Sequence, residues 1–507
     1  MKPQKLNKSD LFDYYSCKAN LYRIKNQGYE KLPLSSKDQH LMKQGIKFEL
    51  EARKQFSNGV LVEGADMEER ILATKSLLEK KEEVIFQAAV EAEGFIAISD
   101  ILKLSPKEDS WELYEVKSGT SVKTKNVALG NSNHIYDLAF QAVVLEKVGL
   151  QISKCYVFHS KGDVPYVQGD HNFFKKRDVT EQVDVIKGTI LSDMLEMQNF
   201  LAQKEIGLGC ECLSKGRSNH CDTFSISNPD IDDYSIHDLK NVGTSPNLLK
   251  ELTSNKLYSI DSIPLGHDII SPSRETQYES YISKQPVYDI RKIDKFLSSL
   301  KEPIQFLDFE TTFTAIPIFE GYKSWEHIPF QWSLHTITES GKLEHKSFLA
   351  TSADEDPMPS LAEQLFNTLD LNGTIIVYNE GFEKSALQRI ADSLPEFTDQ
   401  ALRAIHNVID LLPIFRNHYV DYRTKGSNSL KAVTPVIAGD DTYDHLDVND
   451  GIKAGVEWEK MLLSDLDNSE KEKIKQHLLD YCNQDTLATY KLLMFLRDLV
   501  KKESQLI

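Results

Sequence analysis

From about residue 296 onward the chain carries short apolar runs, "EPIQFLDFETT", "PFQWSLHTI", "HKSFLA" and "GTIIVYN", whose β-branched and aromatic content predicts strands. They lead into amphipathic patterns such as "SEKEKIKQHLLDYCNQDTLATYKLLMFLRDLV", which predict helices. Strands first and helices after imply a mixed sheet flanked by helices. Residues 1 to about 225 alternate helical and strand-like segments. "HLMKQGIKFELEAR" and "IYDLAFQAVVLEKVG" read as helices, and "GFIAISDILKLSPKEDSWELYEVKSGT" reads as two strands joined by a polar turn containing Pro106. Between these blocks, residues 226–295 are rich in Ser, Asp and Lys and read as short helices separated by turns, a linker or a small helical module. The pattern gives an α/β chain in three parts: 1–225, 226–295 and 296–507.

Length supports that division, because 507 residues exceed what one hydrophobic core organises. The composition, 40% apolar and 27% charged, is that of a soluble globular protein. "MKPQKLNKSD" lacks the apolar core of a signal peptide, and no apolar run approaches the length of a membrane span. A cytoplasmic protein without a membrane partner is expected. The net charge of −18 argues against a protein that coats nucleic acid by bulk attraction. It leaves a metal-dependent nuclease open, since such a site concentrates carboxylates and needs only a local basic stripe for phosphates. Six cysteines in a long cytosolic chain do not suggest a disulfide framework. Cys155 and Cys482 read as buried structural thiols, whereas Cys210, Cys212 and Cys221 are clustered in "GCECLSKGRSNHC".

Candidate chemistry begins at "FLDFETT", where Asp308 and Glu310 are two apart on a strand and share a face. In "IIVYNEGFEKSAL" a strand, a short loop and a helix start bring Glu383 to a strand–helix junction. Near the C-terminus, Tyr481 and Asp485 are four apart in "YCNQD" and share a helical face. Clustered carboxylates are what hard divalent cations require. This order of motifs resembles the DEDD exonucleases of the RNase H-like fold, in the subclass whose third motif carries Tyr. The resemblance implies that Asp308, Glu310, Glu383 and Asp485 hold Mg²⁺ or Mn²⁺, with Tyr481 positioning the attacking water. It also implies trimming of nucleic acid from a 3′ end. Glu383 departs from the family's usual Asp. His335, on the "PFQWSLH" strand, reads as a core or rim histidine, and Asp410 as a helix-start or supporting acid.

In the N-terminal part Asp100 ends the apolar half of one strand, and Glu115 and Lys117 share a face of the next. This D-(x14)-E-x-K spacing resembles the PD-(D/E)xK nucleases, in which two acids bind a divalent metal and the Lys orients water and offsets phosphate charge. Glu49, on the upstream helix, and Gln141, on the downstream helix, fall where RecB-like members of that group carry further site residues. The same resemblance implies an iron–sulfur cluster (4Fe-4S) on Cys17, Cys210, Cys212 and Cys221, although the C-x-C-x8-C spacing departs from the usual pattern. Zinc on the four thiolates, or with His220 substituting for one, is the alternative.

Taken together, "DFET", "PFQWSLH" and "YCNQDTLA" resemble a bacterial family of unknown function that joins a RecB-like nuclease domain to a DEDDy exonuclease domain. The resemblance implies a nuclease with two metal-dependent sites acting on nucleic acid in repair, recombination or defence, with DNA ranked ahead of RNA as substrate, the choice between them left open, and a helicase as a candidate partner. Two other readings stay open: an inactive nucleic-acid clamp in one of the two domains, or non-catalytic scaffolds in both.

Overall fold

Glu93 and Gly94 both have positive φ, +52° and +82°, the backbone twist that a two-residue hairpin turn needs. They join β2 (Val84–Ala92) to β3 (Phe95–Ser105), which pair antiparallel from Val84–Lys103 to Ala92–Phe95. β4 (Ser110–Lys117) follows antiparallel to β3, as the apolar alternation predicts. In the computed structural model, residues 5–105, 109–122, 133–169, 171–439, 443 and 445–505 are described; the turn containing Pro106 lies outside them. With β1 (Gly59–Leu61), β5 (Ile152–Ser160) and β6 (Phe174–Asp178), the strands form a six-stranded mixed sheet in chain order. Helix His134–Lys147 lies in the core of this sheet, burying Ile135, Leu138, Phe140, Val144 and Leu145.

The chain divides into two units. The first comprises the residues up to Leu213, Asn219–Asp230 and Thr314–Glu326; the second comprises Ser214–Ser218, Ile231–Phe313 and the residues from His327. The polar stretch after residue 230 thus groups with the second unit. It has a small core of its own, with Ile236, Leu249, Leu252, Ile260 and Ile269 buried around helix Pro246–Ser254.

The second unit holds a short ribbon, β7 (Val287–Tyr288) with β13 (Tyr419–Val420). Its main sheet is mixed, in the order β10 (Leu343–Leu349), β9 (His327–Ile337), β8 (Ile304–Phe313), β11 (Thr374–Val377), β12 (Val408–Asp410). β8 is central: antiparallel to β9, parallel to β11. Its side chains alternate. Leu307 and Phe309 join a core with Trp332, Leu361 and Ile375, while Phe306 joins one with Leu492, Leu493 and Leu496 of helix Asn468–Ser504. Asp308 and Glu310 have the parity of Phe306, so they continue the face that looks at this long helix. Among the described residues no helix is long and apolar enough to cross a membrane.

Candidate functional site

Helix Asn468–Ser504 starts with a capping box on Asp467 and Glu470, so "YCNQD" lies well inside it rather than at an exposed start. Tyr481 and Asp485, one turn apart, are both buried, with 4% and 8% of their surface exposed. Opposite them on β8 is Asp308, whose Oδ2 accepts from the Cys482 thiol at 3.4 Å. Ligand atoms of Asp308, Glu310 and Cys482 lie within 4.8 Å of one another. Cys482, read from sequence as a structural thiol, is therefore part of the acid cluster. Its position between two site residues on a buried helical face was the available signal.

Glu383 reaches the same cluster from helix Glu380–Ser393. Asn379, at φ +86°, turns the chain into that helix, and Asp410 Oδ1 fixes the turn by accepting from the Asn379 and Leu412 amides, each at 2.9 Å. Asp410 is thus a supporting acid. Glu383 is buried, and its Oε2 has no hydrogen-bond partner. Gly451, first in helix Gly451–Leu463, lets that helix approach β8 closely: a Cβ there would stand 3.2 Å from Glu310 Oε2.

The four carboxyls perturb one another. Burial first, and then the charge of Asp485, hold Asp308 well above the usual carboxylate range. Glu310 is raised by burial and then by Asp308, and Glu383 by burial and then by Asp308. Burial also raises Asp485, against a short hydrogen bond from the Tyr443 hydroxyl. Among the described residues, the cation facing the cluster is Lys431, which lowers Asp308, Glu310 and Asp485 and donates to the Tyr481 hydroxyl at 3.0 Å. Tyr481 itself is pushed well above its ordinary value by burial and then by Asp485, so it stays a phenol. Sequence reasoning missed Lys431 and Tyr443, which lie far from every motif along the chain. His335 is buried on β9 and bonded to Thr486 Oγ1 at 2.8 Å, a core histidine.

The residues present fit divalent cations. Buried oxygens outnumber the facing ammonium, one carboxylate oxygen is orphaned, and the donors are hard.

The first unit brings its acids together differently. Asp100 and Glu115 directly follow the cross-strand pair Ile101–Tyr114, so they share a face. Asp100 Oδ2 accepts from the Val116 amide at 2.8 Å, and Gln87 Nε2 bridges Asp100 Oδ1 and Glu49 Oε1 at 3.2 and 2.5 Å. Gln87 does so from φ +55°, a conformation a non-glycine strand residue rarely adopts. Glu49 is also paired with Arg53. Burial and then Glu115 push Asp100 up to about 8.

Glu115, however, is surrounded by donors. Lys117 Nζ lies 2.6 Å from Glu115 Oε1 and 2.9 Å from Asp137 Oδ2. Lys8 Nζ lies 3.0 Å from Glu115 Oε1 and 2.8 Å from Asp137 Oδ1. Gln141 Nε2 donates to Glu115 Oε2 at 2.5 Å and Asp137 Oδ1 at 2.9 Å. Lys8 and Asp137 carried no sequence signal. Burial works to lower Lys8, but the charges of Glu115 and Asp137 outweigh it and raise the ammonium. These residues do not fit a divalent cation: its ligands would already be neutralised by two ammonium groups within hydrogen-bonding distance.

Cys17, Cys210, Cys212 and Cys221 do converge, their sulfurs all within 4.8 Å of one another. Cys17 ends helix Lys8–Ser16 and starts helix Lys18–Gln27, where its Sγ accepts from the Asn20 amide at 3.4 Å. Asn228 Nδ2 donates to Cys210 Sγ at 3.3 Å. His220 is not in the group and stacks on Phe224. Four soft donors in one small volume fit a thiophilic metal.

A family model described as "Domain of unknown function (DUF2779)" matches residues 305–429, a span that contains Asp308, Glu310 and Glu383 and stops before Lys431. The uncharacterized protein MG366 of Mycoplasma genitalium is 24% identical over 225 residues, 40% of this chain and 33% of its own length. Its Mycoplasma pneumoniae homolog is 25% identical over 231 residues, 42% of this chain and 35% of its own. The uncharacterized protein UU173 of Ureaplasma parvum is 24% identical over 271 residues, 48% of this chain and 39% of its own. The matches fit a bacterial family of unknown function. The chain matches only 33% to 39% of the length of these curated relatives. No solved structure matches the chain significantly.

Proposed function

We propose that the second unit is a divalent-metal-dependent 3′–5′ exonuclease of the RNase H-like, DEDDy kind. One observation carries the reading: Asp308 and Glu310 on one face of a central strand meet Asp485, Tyr481 and Glu383 in a single buried acid cluster. Mg²⁺ or Mn²⁺ held there would lower the pKa of a water and offset charge on the leaving oxygen. The Tyr481 phenol, fixed by Lys431, orients that water by hydrogen bonding. Asp410 and Gly451 hold the strand–helix junction and the close helix approach that set the acids' positions. The water oxygen bonds to phosphorus, the bond from phosphorus to the 3′ oxygen breaks, and the water's proton reaches that oxygen through solvent. A nucleoside 5′-monophosphate leaves.

For the first unit, a RecB-like core, the clamp reading is favoured over hydrolysis, because Lys8 and Lys117 already neutralise Glu115 and Asp137. Its four thiols hold a structural metal. One tetrahedral zinc with bonds of about 2.3 Å spaces thiolates about 3.8 Å apart, whereas a four-iron cluster spreads them wider. Sulfurs within 4.8 Å therefore favour zinc over the iron–sulfur cluster that the resemblance implies.

The test is the purified chain with 5′-labelled single- and double-stranded DNA and RNA in Mg²⁺, Mn²⁺ or EDTA. A metal-dependent ladder shortening from the 3′ end is expected. Intact substrate in every condition overturns the reading.

A further inference from the structure

The second unit has a cavity of about 110 Å³ where Lys240 and helix Pro272–Ser283 meet the segment from Arg416 to Asn428. Its lining contains two cations, Lys240 and Arg416, and no acid. In a chain with 77 acidic against 59 basic residues, that is a departure from the surface at large. Two acids on the adjoining segments are already spent, Asp238 on Arg217 and Asp421 on Arg423.

The two cations are held together. Lys240 Nζ donates to the Arg416 carbonyl at 3.2 Å and to Asn417 Oδ1 at 2.9 Å, both neutral acceptors. Burial and then the Arg416 charge lower the ammonium. Among the described residues, the Arg416 guanidinium has no hydrogen-bond or ion-pair partner. Like charges kept close repel, and an anion between them would relieve that repulsion. The first turn of helix Pro272–Ser283 adds the hydroxyls of Ser273 and Thr276 to the lining. The wall is tightly built: a Cβ on Gly426, at φ +79°, would collide with the Asp238 carbonyl and Gln277 Nε2.

Size and place narrow the ligand. Pockets for whole small molecules measure roughly 300–1,000 Å³, so this cavity takes one phosphate group rather than a nucleotide. Asn428, on its wall, is fixed by the Tyr378 hydroxyl, which donates to the Asn428 carbonyl at 2.8 Å. Three residues further on is Lys431, which donates to the Tyr481 hydroxyl of the acid cluster. Three residues span at most about 10 Å, so a strand of a few nucleotides reaches from the cluster to the cavity.

We propose that Lys240 and Arg416 grip a backbone phosphate of a nucleic-acid strand, a few nucleotides from the 3′ end that the acid cluster holds. The small helical core after residue 230 is then part of the substrate surface, not a linker. The identity of the strand rests on the exonuclease reading.

The test is fluorescence anisotropy of a 5′-labelled oligothymidylate with the full chain in EDTA, over a series of NaCl concentrations. Lys240→Gln/Arg416→Gln should bind the strand about tenfold more weakly at low salt. Its plot of log affinity against log salt should be shallower by about 1.4, since each phosphate contact on a single strand is worth about 0.7. Ser273→Asp keeps both cations and puts an acid where a helix start favours one, so it should fold and lose affinity as well. Should the Lys240 change prevent folding, Arg416→Gln alone decides, because that side chain is exposed; its slope should fall by about 0.7. Inorganic phosphate and thymidine 5′-monophosphate, added as competitors, should displace the strand only weakly. Parental affinity and slope in these variants overturn the proposal, as does a parent that binds no strand. A site that takes free phosphate while the variants bind the strand like the parent overturns it too. Trimming by the parent in Mg²⁺ judges the exonuclease reading separately, so the two can fail independently.

Discussion

The two acid clusters of this chain differ in one respect that decides their chemistry. In the first unit Glu115 and Asp137 face two lysines and a glutamine amide. In the second, Asp308, Glu310, Glu383 and Asp485 face Lys431, and one Glu383 oxygen has no partner. Similar residue types on similar strand faces thus end as a self-neutralised ion cluster in one place and as an excess of buried negative charge in the other. Buried charge without a partner costs several kcal/mol per group, so the second cluster either holds protons or holds cations. Carboxylate motifs alone cannot tell these cases apart; the lysines that reach them can.

The largest expected effect separates binding from rate in the second cluster. Tyr481→Phe should keep Mn²⁺ affinity and lose about 10²–10⁴-fold in the rate of 3′-end trimming, the usual worth of a group acting on the attacking water. An unchanged single-turnover rate would reduce Tyr481 to packing.

How much of this difference was legible in the sequence follows from the range of each contact. Asp308 with Glu310, and Tyr481 with Asp485, are pairs set by strand and helix periods, so they could be read directly. Asp100, Glu115 and Lys117 were legible for the same reason, as hairpin neighbours. What neutralises them was not. Lys8 reaches Glu115 across 107 positions and Lys431 reaches Tyr481 across 50, and no local period connects such residues. The tight helix approach at Gly451 left a trace in "GIKAG", two glycines one turn apart, which a search for acidic motifs passes over. The polar composition of 226–295 hid a small core, because eight buried aliphatic side chains are spread thinly over 34 positions.

The cysteine site should give the next largest effect, confined to the first unit. Cys17→Ser or Cys212→Ser should abolish stoichiometric bound metal and lower the thermal midpoint, since the binding energy of a structural metal is folding energy. Elemental analysis of the parent should find zinc. A brown protein containing iron would assign the four thiols to a cluster instead.

pH acts with opposite sign on the second cluster and on Asp137 of the first. Asp308, Glu310 and Glu383 have folded pKa values raised above the unfolded value of about 4, so the native state keeps protons that the unfolded chain releases. In EDTA their contribution to stability falls as pH rises from about 4 through the raised values, and saturating Mg²⁺ should cancel the fall. Asp137 is lowered, because Lys117 and Lys8 outweigh its burial, so its contribution is present above about 4 and lost as pH falls. Unfolding curves at pH 5 and pH 8, with and without Mg²⁺, check this. A Mg²⁺ effect that does not grow with pH would contradict it.

The smallest effect is steric. Gly451→Ala puts a methyl 3.2 Å from Glu310 Oε2, and should cost about 1 kcal/mol of stability and weaken Mn²⁺ binding slightly. Unchanged Mn²⁺ affinity would mean that the helix moves without disturbing Glu310.

The most direct measurement is paired Mn²⁺ binding and hydrolysis of a 5′-labelled single strand by Asp308→Asn, an isosteric change that removes one charge from the unneutralised cluster. The expected result is a folded protein that has lost Mn²⁺ uptake at this site and at least about 10³-fold in trimming rate, more than 4 kcal/mol of transition-state stabilisation. Parental binding and a parental ladder from Asp308→Asn would contradict the account.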